Sequence, residues 1–268
     1  MAALKLSNGI TISYHDSGSG SPILFLHSFG HNKNLWFPQL THFLERGFRV
    51  LAPDMPGHGG SSFDPARHGV DQMAQCYIEL LVSLGTSKTI IAGISMGGYI
   101  ALRMWARQPN LIAGMVLSNT KAEKDSDEIV VRRRAQIENI HKNGLEHFVN
   151  TGAPKRLSPE TLQRRPWVLE TIKLLNYTVP AEVNAATLDA MARKEDDTKV
   201  LATIDVPVLV TAGSHDIFIP KESPGNLHRG IKRSRFHEIA GTGHVSSLEA
   251  PTEYNRAMEE FLQSAGLR

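Results

Sequence analysis

The ten residues from Thr89 to Gly98, TIIAGISMGG, restrict this chain more than any other stretch. A short apolar run rich in β-branched residues opens it and reads as a buried strand. Tyr99-Ile100-Ala101-Leu102 continues with apolar residues at helical spacing, ending near Arg107 before Pro109. Between strand and helix, Gly93, Ser95 and Gly97 spell G-x-S-x-G, a turn so sharp that the neighbours of the serine have room for almost no side chain. Such a turn lifts the Ser95 hydroxyl above the end of the sheet. It also aims the first N–H groups of the next helix at any negative charge developing there. A glycine-rich turn with no chemistry has the same pattern over ten residues, so the reading depends on the rest of the chain.

The rest alternates strand and helix. Asn8-Gly9 separates two strand-like runs and suggests a hairpin at an antiparallel edge. Ile23-Leu24-Phe25-Leu26-His27 is a strand without polar interruption, as a strand covered on both faces should be, and Phe48-Arg49-Val50-Leu51-Ala52-Pro53-Asp54 reads as the next. Helical patterns follow each, around Trp36–Leu44 and from about Val70 to Leu84, and Leu111–Ser118 supplies a further strand. This rhythm implies a mostly parallel sheet with right-handed crossovers and helices on both faces, whose ligands bind at the carboxyl ends of the strands. Gly18-Ser19-Gly20-Ser21-Pro22 is read as a plain turn, because no Walker lysine and no dinucleotide spacing accompany it.

From Lys121 to Lys194 the rhythm changes. Asp125-Ser126-Asp127-Glu128 offers a helix start, Gly144 a stop, and Ser158-Pro159 and Val179-Pro180 two more starts, with no strand between them. The expected organisation is a core of residues 1–120 and 195–268 interrupted by a helical lid, 121–194. Trp167, Leu175 and Met191 of the lid are candidate substrate-binding residues, with Leu174 and Val183 beside them, although each alone reads better as packing between lid helices. Strands resume at Val206–Gly213 and Arg235–Ile239, and a helix over Thr252–Leu262 closes the chain.

A serine hydroxyl is a weak nucleophile at neutral pH and needs an adjacent base, itself oriented by a third group. Asp216 follows one late strand and His244 the next, so both reach the carboxyl edge where Ser95 lies, in the chain order serine, acid, histidine. Among the twelve histidines, His237 lies within a strand, His141 and His147 in the insertion, and His27 and His58 before the serine. Asp54 is expected to brace turns, and Asn119, after the sixth strand, lacks a carboxylate. The oxyanion formed in acyl transfer needs two donors. Met96 N–H and Phe29 N–H are assigned to it, with Ser28 N–H as the alternative to Phe29, and Ser28 and Val245 are further substrate-binding candidates. No H-E-x-x-H and no paired CxxC occurs, so no metal is expected.

Bulk properties narrow the partners. A net charge of +2 gives no field for nucleic acid, and 41% hydrophobic with 21% charged residues suits a globular protein. No apolar run approaches the ~18–20 residues that span a bilayer. The first residues lack the basic and apolar regions of a signal peptide, so no membrane partner and a cytoplasmic location are expected. A homo-oligomer is left open.

With these residues in place, the chain resembles the α/β-hydrolase superfamily over essentially its whole length. The resemblance rests on Ser28-Phe29-Gly30, Asp54-Met55-Pro56-Gly57-His58-Gly59-Gly60-Ser61, Gly93-Ile94-Ser95-Met96-Gly97-Gly98, Gly213-Ser214-His215-Asp216 and Gly243-His244. Leu117-Ser118-Asn119-Thr120 and Gly243-His244-Val245-Ser246-Ser247-Leu248-Glu249 are similar to 3-oxoadipate enol-lactonases and small carboxylesterases. His27-Ser28 stands where those families carry His-Gly, and Met55-Pro56 where an arginine usually follows the aspartate. The resemblance implies an α/β-hydrolase fold with an eight-stranded sheet, a helical lid, a serine mechanism that uses no cofactor and a small-molecule ester or lactone substrate. A C–C bond hydrolase, a cofactor-free perhydrolase and a low-turnover ligand-binding receptor share these residues. Dehalogenases and epoxide hydrolases place an aspartate where Ser95 stands.

Overall fold

The computed structural model describes residues 2–267. Among them, eight strands form one sheet: β1 (Ala2–Lys5), β2 (Thr11–Ser17), β3 (Pro22–Leu26), β4 (Arg49–Pro53), β5 (Thr89–Ile94), β6 (Ile112–Ser118), β7 (Val208–Gly213) and β8 (Ser234–Ile239). Their order across the sheet is β1-β2-β4-β3-β5-β6-β7-β8. The Asn8-Gly9 turn folds β1 antiparallel onto β2, and β2 runs antiparallel to β4. Every other pair is parallel, with Leu26 of β3 beside Gly93 of β5 and Ile94 of β5 beside Ser118 of β6.

The helices are α1 (Phe37–Glu45), α2 (Val70–Ser83), α3 (Met96–Arg107), α4 (Asp127–Gly152), α5 (Pro159–Arg164), α6 (Pro166–Tyr177), α7 (Ala181–Ala192), α8 (Thr198–Leu201), α9 (Ser223–Gly230), α10 (Ser246–Glu249) and α11 (Pro251–Ser264). Side chains alternate across a strand, and the buried strands feed two cores accordingly. Leu24, Leu26, Ile91, Met115, Leu117, Val208 and Val210 meet α2, α3 and α9 on one face. Ile23, Phe25, Ile90, Ala92, Val116 and Leu209 meet α1 and α11 on the other. Both faces being dry explains why these strands carry no polar alternation.

Between β6 and β7 the chain is helical from α4 to α8. The cap of α4 is Ser126, whose hydroxyl accepts from Ile129 N–H at 3.3 Å, one residue later than the acidic pattern suggests. Asp125 instead pairs with Lys121 at 2.8 Å and Arg133 at 2.5 Å. Gly144 breaks the helical path as expected, at φ 80° and ψ 173°, but the chain resumes a helix on the same element. Ile140, Phe148, Leu188 and Met191 of α4 and α7 join the first core, and Val168, Ile172 and Leu175 of α6 join the second.

The turn after β5 depends on missing side chains. A Cβ on Gly97 would collide with the carbonyls of Leu26 and His27, and one on Gly93 with the backbone of Gly97 and Gly98. Gly152, at the end of α4, has open space around it and an unexceptional φ. We therefore expect Gly97→Ala to destabilise the protein by about 3 kcal/mol or more, as backbone collisions in a close-packed interior do. Gly152→Ala should be neutral or stabilising by up to about 1 kcal/mol through helix propensity. Urea unfolding midpoints of the two variants test the contrast.

Candidate active site

Ser95 caps the carboxyl end of β5 at φ 53° and ψ −115°, a conformation an L-residue adopts only under constraint. The constraint is a set of hydrogen bonds on both sides of the residue. Its N–H donates to Ser118 O at 2.9 Å, and its carbonyl accepts from Thr120 Oγ1 at 2.7 Å and Gly98 N–H at 2.9 Å. The hydroxyl is thereby presented at the N-terminus of α3, where the first N–H groups have no helical carbonyl to reach.

Asp216 and His244 arrive from the loops after β7 and β8. His244 Nε2 lies 2.9 Å from Ser95 Oγ, and its Nδ1 lies 2.9 Å and 3.0 Å from the two carboxylate oxygens of Asp216. A carboxylate can only accept, so Nδ1 carries the proton and Nε2 is left to accept from the serine hydroxyl. Burial works to raise the Asp216 pKa. His244, Asn119 and the N–H of Phe218 outweigh it and hold the carboxyl below its ordinary value. The Phe218 ring also packs against the imidazole at a tilt of 41°, centroids 5.0 Å apart.

Two residues that support this series were not singled out from the sequence for that role. Asn119 figures there as a residue passed over as the acid and as part of the resemblance, with no partner assigned to it. Its Nδ2 donates to Asp216 Oδ2 at 3.0 Å and to Gly243 O at 3.1 Å, while its Oδ1 accepts from Ser246 Oγ at 2.6 Å. It joins the acid loop to the histidine loop. Arg156, from the helical insertion, accepts His244 N–H on its carbonyl at 2.8 Å and donates from Nη1 to Phe29 O at 2.8 Å. Nothing in the local pattern around Arg156 marks it, because its contacts lie 88 and 127 residues away in sequence (244 − 156 and 156 − 29). Glu249 completes the brace by accepting the N–H groups of Gly243 at 2.8 Å and Ser158 at 2.9 Å.

A cavity of about 340 Å³ opens beside Ser95 and His244. Ser28, Phe29 and Met191 line it, as the sequence suggests, together with Tyr99, Leu188 and Phe218. Three other candidates lie elsewhere. Trp167 is 56% exposed on the outer side of α6. Leu175 and Val245 are packed in the second core, because α6 turns its apolar stripe there and Val245 points away from the cavity that His244 faces. Leu174 is exposed, and Val183 is buried against the turn at Gly57. Met96 is fully buried at the first position of α3. Among the described residues no group of three or more His, Cys, Asp or Glu side chains could hold a metal, and no helix is long and apolar enough to cross a membrane.

The floor beneath the Ser28–Gly30 loop is built from buried neutral imidazoles. His27 accepts Met55 N–H on Nε2 at 2.9 Å and meets Ser28 O through Nδ1 at 2.9 Å. Burial pulls its pKa to about 4, against the opposing pull of Asp54. His58 and His31 are likewise held far below the ordinary value by burial. Asp54 braces the adjoining turn, as expected of it, accepting from Lys33 N–H at 2.8 Å and Gly60 N–H at 2.9 Å and pairing with the Lys33 ammonium.

A mostly parallel sheet with a serine turn, an imidazole and a carboxylate hydrogen-bonded in series at its carboxyl edge defines a class of α/β enzyme. The family model described as the alpha/beta hydrolase fold matches residues 21–251, and the chain belongs to that family, an enzyme of the hydrolase class. The chain is 28% identical over 241 residues to 3-oxoadipate enol-lactonase 2 of Acinetobacter baylyi, covering 90% of this chain and 88% of that one. A solved thermophilic esterase from Thermogutta terrifontis, with malate bound, aligns at a TM-score of 0.93 with 30% identity over 99% of both chains. The enol-lactonase from Burkholderia xenovorans LB400 aligns at 0.89 with 25% identity, covering 98% of this chain and 100% of that one.

The pKa depressions carry a stability prediction, read most directly at His68. Its Nε2 lies 2.7 Å from Thr187 Oγ1 on α7, whose own proton goes to Val183 O at 2.7 Å. Nε2 therefore donates, and Nδ1 is buried without a partner. Burial, with Arg193 adding to it, lowers the pKa from 6.5 to about 4. The unfolded chain then binds a proton that the folded one refuses, so this stability is complete above the unfolded value and is lost as pH falls from 6.5 toward 4. We expect His68→Gln to reduce the wild-type loss of unfolding free energy between neutral pH and the lower end of that window by about 2–3 kcal/mol. Urea titrations at the two pH values measure it.

Proposed function

We propose that this chain is a serine hydrolase that cleaves carboxylic esters or lactones through an acyl-enzyme on Ser95. The observation that carries the reading is the 2.9 Å contact between Ser95 Oγ and His244 Nε2, with Nδ1 of the same ring already committed to Asp216. Ser95 Oγ attacks the acyl carbon while its proton passes to His244 Nε2, and Asp216 stabilises the imidazolium. The negative charge that develops on the carbonyl oxygen is received by the N–H groups of Phe29 and Met96. The C–O bond then breaks as His244 returns the proton to the leaving oxygen. In a lactone that oxygen stays tethered to the acyl group. Water, deprotonated by the same imidazole, attacks the ester carbon of the acyl-enzyme and frees the acid and Ser95.

The names of the esterase and enol-lactonase relatives support C–O over C–C cleavage. In the same reading the helices of residues 121–194 act as the lid, since Arg156, Leu188 and Met191 reach the cavity from them.

A panel of activated esters and lactones of graded acyl size tests this assignment. Ser95→Ala should lower kcat/KM by at least about a thousandfold on every substrate turned over. A fluorophosphonate should label the wild type at Ser95, as peptide mass mapping would show. Turnover that survives the substitution would rule out an acyl-enzyme at this residue.

A further inference from the structure

The cavity beside Ser95 is lined by four cationic side chains, Arg132, Arg133, Lys155 and Arg156, and by no carboxylate. Three of them have ordinary surroundings. Arg133 is neutralised by Asp125 at 2.5 Å, and Arg132 and Lys155 are exposed to solvent. Arg156 is different. It is only 7% exposed and forms no ion pair among the described residues. Its partners are neutral: Phe29 O at 2.8 Å, His31 Nε2 at 3.2 Å and the face of the Phe29 ring with the centroid 5.4 Å away. Burial draws its pKa down to about 10, which leaves the guanidinium charged at neutral pH.

A buried charge without a counter-ion is costly to a fold. Holding the carbonyl of Phe29 would need only a neutral donor. Among the described residues the side-chain hydrogen bonds of Arg156 leave from Nη1 alone, so the Nε–Nη2 edge, the fork that grips a carboxylate with two parallel bonds, is not used within the protein. His31 cannot compete for an anion. It accepts from Arg156 at Nε2, so its Nδ1–H points to Ser28 Oγ, 2.5 Å away, and burial keeps the ring neutral.

We infer that Arg156 is the recognition group for a carboxylate carried by the substrate, so that the ester or lactone cleaved at Ser95 is an anion. The inference rests on the serine-hydrolase reading of the same site. The cation sits in the wall of the reactive cavity and needs a counter-charge that the protein withholds. A substrate carboxylate supplies it there, in a site where low dielectric strengthens the pair.

Two nitrophenyl esters of equal length, one with an acyl chain ending in a carboxylate and the other in a carboxamide, test the inference. The wild type should favour the carboxylate in kcat/KM by about ten- to a hundredfold, the worth of a charge-assisted hydrogen-bonded pair. Arg156→Met should abolish that preference and Arg156→Lys should keep part of it. Lys155→Ala and Arg132→Ala should leave the ratio within about twofold, because exposed cations are screened. Equal rates on both esters in the wild type would overturn the inference. So would a preference that persists in Arg156→Met, because rates that fall together mark a residue that only positions the Phe29 loop. Should Arg156→Met not fold, competition by succinate against a neutral ester in the wild type decides: inhibition no stronger than that by succinamide overturns the inference. Fluorophosphonate labelling separates the two levels. Labelled Ser95 with no preference removes the carboxylate alone, whereas an unlabelled Ser95 with no ester turnover removes the serine mechanism as well.

Discussion

Ser95 is held at a positive φ between two backbone anchors, and the site depends on that one strained peptide. An L-residue gives up about 1–3 kcal/mol to sit there. The surrounding bonds to Ser118 and Thr120 and the close approach of Gly97 to the end of β3 leave it no alternative. The strain has a geometric use. It separates the hydroxyl from the sheet so that an imidazole from another loop can reach it at hydrogen-bond distance, and it leaves the start of α3 open beside the reacting atom.

Around this point the loops are fastened to one another rather than each to its own strand. Asn119 ties the acid loop to the histidine loop, Glu249 ties the histidine loop to the start of α5, and Arg156 ties it to the loop after β3. The helical insertion is therefore fastened to the same loops that hold the three side chains. Its backbone accepts the N–H of His244, and its side chains complete the cavity. This arrangement lets a segment free of strand-pairing constraints shape the cavity wall while the sheet holds Ser95, Asp216 and His244 in place.

The electrostatics divide in the same way. Below the Ser28–Gly30 loop, His27, His31 and His58 are buried and neutral, so they serve as shaped hydrogen-bonding groups. Above it the cavity wall is cationic and, at Arg156, unpaired within the protein. A neutral floor and a positive wall place the unbalanced charge at the cavity beside Ser95.

By itself the sequence determined the layers of the sheet, the turn that carries Ser95 and the three side chains that meet there. Strand periodicity, glycine sterics and chain order are local properties, and they were legible in runs such as Thr89–Gly98 and Gly241–Val245. The tertiary structure alone decided which residues of the insertion face the cavity. An amphipathic helix has one apolar face whichever core receives it, so Leu175 could be read as pocket although α6 lies on the second core, and Trp167 as lining although it is exposed. Asn119 and Arg156 were equally beyond a linear reading. Their roles consist of hydrogen bonds to loops about a hundred residues distant, and no periodicity or short motif encodes a contact at that range.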